Sequence, residues 1–166
     1  MTEPDPAWEQ RMAGLWATID DLDPGAFLAR VEALAAELPP GDAVAAFELG
    51  AANDSTGHPE QAAPLYRQAL AAGLTGLRRR RAVIQLASTL RNLGRPEDSV
   101  ELLRAEREAG SDELDDAVVA VLALALADSG REREAAGLAI AALARHLPRY
   151  NRSMAAYGRA LSDDPG

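Results

Sequence analysis

"GHPEQAAPLYRQAL" (residues 57–70), "GRPEDSVELLRAER" (94–107) and "GREREAAGLAIAAL" (130–143) open on the same punctuation, at glycines 37 and 36 residues apart. In each, glycine is free to take the left-handed conformation that ends one helix, and glutamate favours the positive end of the next. In two of the three, a proline pre-sets that helix's first turn. Each stretch reads as a corner between two helices. Upstream of each corner, small or apolar residues recur at helical spacing: Ala46, Leu49, Gly50 and Asn53; Val83, Leu86, Ala87 and Leu90; Val119, Leu122, Ala123 and Leu126. Downstream the second helix repeats the pattern with Ala62, Leu65, Tyr66, Ala69 and Leu70; Ser99, Leu102, Leu103 and Glu106; Ala135, Leu138, Ala139 and Ala142. Small residues at Gly50, Ala87 and Ala123 let paired helices approach closely.

This unit resembles the tetratricopeptide repeat, whose pattern is W-x2-L-G-x2-Y followed by A-x3-F and a closing proline. "AFELGAAN" carries Leu49 and Gly50 of that pattern, and Ala62 with Tyr66 supplies the A-x3-F pair. Ala46, Val83 and Val119 stand at the tryptophan position, Asn53, Leu90 and Leu126 at the tyrosine position, and the closing proline is missing. The whole chain is similar to small bacterial proteins of the tetratricopeptide group 5 type. That resemblance implies an all-α, right-handed superhelical solenoid of helix pairs, the first helix of each pair lining a concave groove that holds peptides, with no catalytic activity of its own.

The expected organisation is a degenerate leading helix pair in residues 1–40, three repeats in 41–147 (about 41–74, 78–109 and 114–147), and a C-terminal capping helix with tail in 148–166. In the leading pair, the same period puts Gly14, Ala26 and Ala33 where small residues belong. After Pro148, "RYNRSMAAYGRAL" reads as a helix that closes the stack, since an end repeat otherwise exposes its apolar face. The first helix of the third repeat is apolar on nearly every side, with Ala117, Ala120, Val121, Leu124 and Ala127 besides its core stripe. It needs cover from the Tyr150–Leu161 segment, from a second copy, or from a bound apolar segment.

Composition agrees. Alanine supplies 36 of 166 residues and aromatic residues 4%, favouring closely packed helices. Cysteine is absent, which removes disulfides and thiolate chemistry. The acidic, proline-interrupted "MTEPDPAWEQ" lacks the form of an export signal, and the longest apolar run, Ala117 to Ala127, is too short to span a bilayer. A cytoplasmic protein without a membrane segment is the expectation. Every basic charge is arginine, a pattern of codon bias rather than chemistry.

The charge is unevenly placed. Between Glu60 and Glu97 there are seven arginines and no acid, giving +7 against −16 for the remainder of a chain whose net charge is −9. Within that band "RRRRAVIQLASTLRN" sets a polar stripe of Arg81, Gln85, Ser88 and Asn92 opposite its apolar one. The resemblance implies that this stripe faces the groove. With Phe47 of the preceding repeat, these residues are the candidate contacts for an acidic or carboxylate-ended partner, a fork donor joined to amides and a hydroxyl. A polar stripe is also what any solvated helix shows. The remaining arginines oppose the dipole at their helix start, so compensation is expected. The repeat spacing sets Arg79 beside Asp115, Arg80 beside Asp116, and Arg91 between Asp54 and Asp128. Nucleic acid is disfavoured as a partner by the net charge and by Tyr66 being the only aromatic in the band.

An enzyme is not expected. His58 and His146 stand 88 residues apart without metal-ligand spacing, and phosphate-loop and nucleophile-elbow motifs are missing. The clusters "DDLD" at 20–23 and "SDELDD" at 111–116 lack the glycine and terminal glutamate of a calcium loop. No cofactor or metal is implied. The expected function is a protein- or peptide-binding scaffold, and the alternative is a homodimer or complex subunit assembled through the apolar third repeat.

Overall fold

The computed structural model describes residues 4–163, which form nine α-helices and, among those residues, no strand. These are α1 Pro6–Trp16, α2 Pro24–Ala35, α3 Ala43–Ser55, α4 Pro59–Ala71, α5 Gly76–Asn92, α6 Pro96–Ala109, α7 Asp115–Asp128, α8 Glu132–Ala144 and α9 Asn151–Asp163. The first and last three residues of the expected leading and closing segments lie outside the described residues. The chain divides into two compact units, residues 1–89 and 90–166, and the boundary falls inside α5.

The three corners share one hydrogen-bond scheme. Gly57, Gly94 and Gly130 take φ of 84°, 74° and 73°. The following amides reach back to the last turn, His58 N to Asn53 O at 2.8 Å, Arg95 N to Leu90 O at 2.9 Å and Arg131 N to Leu126 O at 2.9 Å. A side chain at each glycine would be strained, and the paired bonds satisfy carbonyls that a helix end otherwise leaves bare. The residues at the tyrosine position are these acceptors.

In the first unit, the starts of the first three helices are written by aspartates. Asp5, Asp23 and Asp42 cap α1, α2 and α3, the last accepting from Val44 N at 2.8 Å and Ala45 N at 3.1 Å. Helices α3 and α4 meet where Gly50 lies on the buried Tyr66 ring; a Cβ on Gly50 would stand 2.9 Å from Tyr66 Cδ1. The leading pair departs from the expected register: Gly14, Ala26 and Ala33 are exposed. Its contacts are large instead, with Trp8, Met12, Phe27 and Val31 buried and Trp8 Nε1 donating to Leu34 O at 2.8 Å. Bulky side chains fill the space between these two helices, so small residues have no close approach to serve there.

In the second unit, α6 packs on α7, α7 on α8 and α8 on α9. The last contact is the tightest: a Cβ on Gly137 would meet Gly158 O at 2.6 Å, and one on Gly158 would meet Ala141 N at 2.7 Å. The closing helix thus rides directly on the backbone of α8. That docking turns Gly137 inward and leaves Ala139 exposed, against the expected stripe. Helix α7 buries Val118, Leu122, Ala125 and Leu126, yet its far side is uncovered in this unit, with Ala120 exposed and Leu124 51% exposed.

Candidate functional site

The site begins with how α5 is held. Its apolar stripe is buried as expected, with Val83, Leu86, Ala87 and Leu90 all in the core. The helix opens without an acid in its first turn, so its arginines need partners from elsewhere. Arg78 finds two in the first unit. Both its terminal nitrogens meet the Glu9 carboxylate, at 2.9 and 2.5 Å, and its Nε lies 3.4 Å from Glu48 Oε1. Glu48 is 4% exposed and its other oxygen accepts from Trp16 Nε1 at 2.7 Å. One buried carboxylate therefore ties α1, α3 and α5 together. Burial raises its pKa above the ordinary carboxylate value, against the opposing pull of the Trp16 hydrogen bond and the Arg78 and Arg81 charges.

Arg81 projects differently from its neighbours. Arg80 is buried and Arg79 half-buried, whereas Arg81 is exposed and its guanidinium sits 5.2 Å from the centroid of the Phe47 ring. Phe47 is itself 0% exposed and faces Tyr66 at 6.3 Å between ring centroids. The two predicted residues are thus brought together, with Phe47 as a platform beneath Arg81 that a partner does not reach. Below them, burial first and then the adjacent Asp54 charge push the Tyr66 phenol far up; Asp54 is itself raised by burial, opposed by the neighbouring Thr89 and Tyr66 hydroxyls.

One turn on from Arg81, Gln85 is half-buried, and its Oε1 takes no hydrogen bond among the described residues. Ser88 is half-buried on the same side, and the exposed Asn92 accepts from Arg91 at 3.0 Å. Arg91 in turn pairs with Asp128 at 2.8 Å, 37 residues on, one more than separates the corners at Gly94 and Gly130. Arranged along one helix are an exposed guanidinium, an amide whose oxygen is buried and a hydroxyl, of which the guanidinium is suited to a carboxylate.

No sequence pattern marks Glu9 and Glu48 as the partners of Arg78, or Trp16 as the donor to Glu48. Glu48 carries a visible signal, a lone acid inside the apolar run "AVAAFELGAA"; Glu9, 69 residues from Arg78, follows no repeat period. Among the described residues no helix is long and apolar enough to cross a membrane.

A family model described as "Tetratrico peptide repeat" matches residues 43–161. No curated protein and no solved structure matches the chain.

Proposed function

The chain belongs to the tetratricopeptide repeat family, a family of protein-interaction scaffolds that is generally non-enzymatic, and on that premise we propose that it holds an acidic or carboxylate-ended segment of a protein partner along the polar face of α5. Helix pairs α3/α4, α5/α6 and α7/α8 are the repeats in this reading. Arg81 supplies the charge, steadied over Phe47; Gln85, whose Oε1 is buried, meets the segment by turning its amide outward; Ser88 and Asn92 extend the polar contact. The observation that carries the reading is the exposed guanidinium of Arg81, stacked at 5.2 Å on a buried ring at the head of the polar stripe. A solvated face needs no stacked cation.

The test is capture of partners from native extract by wild-type protein and by Arg81→Glu. The variant should lose the partner while its helical circular dichroism stays unchanged; equal capture would refute the site. A second reading is favoured by the uncovered Leu124 on α7, where a homodimer would bury that side chain. Light scattering over a concentration series decides it, since a mass that remains that of one chain excludes self-assembly through α7.

A further inference from the structure

Residues 135–162 contain no acid and four arginines, Arg145, Arg149, Arg152 and Arg159, in a chain of net charge −9. Arg145 is engaged with Asp116 at 2.6 Å. Arg149, Arg152 and Arg159 are exposed and make no ion pair among the described residues. The same segment carries the two most exposed large apolar side chains, Tyr150 at 75% and Tyr157 at 61%. At about 100° per residue, Arg152 and Arg159 fall on one edge of α9 and Tyr157 on the other, with the small, exposed Ala156 and Ala160 between them. Next to the arginine edge is a cavity of about 420 Å³ lined by Ala141, Ala144, Arg145, Asn151, Arg152 and Ala155.

We propose that this outer side of α9 docks an acidic amphipathic segment of a protein partner, as a site separate from α5. Charge selects the occupant: Arg149, Arg152 and Arg159 outnumber the one carboxylate among the described residues of this surface, Asp163 on the same helix, and attract carboxylates, and the alanine floor with the tyrosine edge receives apolar side chains of the same segment. Tyrosine and arginine are the residue types that dominate the energetics of such contacts. A second copy is opposed by like net charge, and a nucleic acid by that same overall field.

The test uses the full chain and a fluorescein-labelled amphipathic peptide, glutamates on one helical face and leucines on the other, followed by anisotropy. Binding should saturate, weaken with added salt, and fall about ten-fold in Arg152→Glu/Arg159→Glu. It should fall less in Arg152→Gln/Arg159→Gln, and the loss in the glutamate variant should persist at the same size in an Arg81→Glu background, which keeps this site distinguishable from that on α5. Undiminished binding by both α9 variants, at unchanged helicity, would overturn the proposal. So would tighter binding of an oligothymidylate than of the peptide, or a doubling of mass that the α9 variants abolish.

Discussion

Glu48 is the residue on which the first unit turns, because a single carboxylate faces Trp16, Arg78 and the approach of Arg81. Its raised pKa fixes the sign of a pH effect. The folded chain holds the Glu48 proton more tightly than the unfolded chain, whose ordinary value is 4.5. Its contribution to stability is therefore largest at acid pH and is lost as pH rises from that value through the folded one. Asp54 is shifted in the same direction and adds the same sign. Glu48→Gln should flatten the fall of Tm with rising pH across that window, leaving the share of Asp54; an unaltered slope would show that Glu48 does not titrate there. At this scale the sequence was legible where residues obey a period and silent where they do not. Arg81, Gln85 and Ser88 follow from helical spacing. The grip of Glu9 on Arg78 joins two helices with unrelated positions in the repeat.

Among the elements, the corners were the most readable, because a left-handed glycine at a helix end is a local requirement. Gly57, Gly94 and Gly130 meet it with closely similar φ and the same backbone bonds. The packing between elements was less so. The crossing of α8 and α9 at Gly137 and Gly158 depends on two backbones meeting, and a glycine inside a helix does not announce its partner. Gly158→Ala tests it. A helix interior gains about 1 kcal/mol from that exchange, yet the new Cβ would lie 2.7 Å from Ala141 N and from Gly137 O, atoms that cannot rotate away. Overpacking at such a site costs about 1–3 kcal/mol, so the variant should be less stable overall, with α9 cleaved by protease before the rest of its unit. Stability equal to or above the wild type's would mean that the helices separate without cost.

The whole molecule is written in blocks of charge: residues 1–60 carry −10, the band between Glu60 and Glu97 carries +7, and residues 135–162 add +4 before counting His146. The first cationic block was evident from composition. The second was hidden by the net charge and by the expectation that the last helix only closes the stack. Family and fold class followed from three copies in register, a signal no single copy provides, while the identity of a partner is a property of two molecules and has no trace in one. The central claim is that a partner lies along α5. A photoreactive residue placed at Ser88 and irradiated in native extract tests it most directly. The account expects one main cross-linked protein, joined through an acidic segment and lost when Arg81→Glu is added. Cross-links that persist undiminished in Arg81→Glu, or that are absent while cross-links from other helices abound, would contradict it.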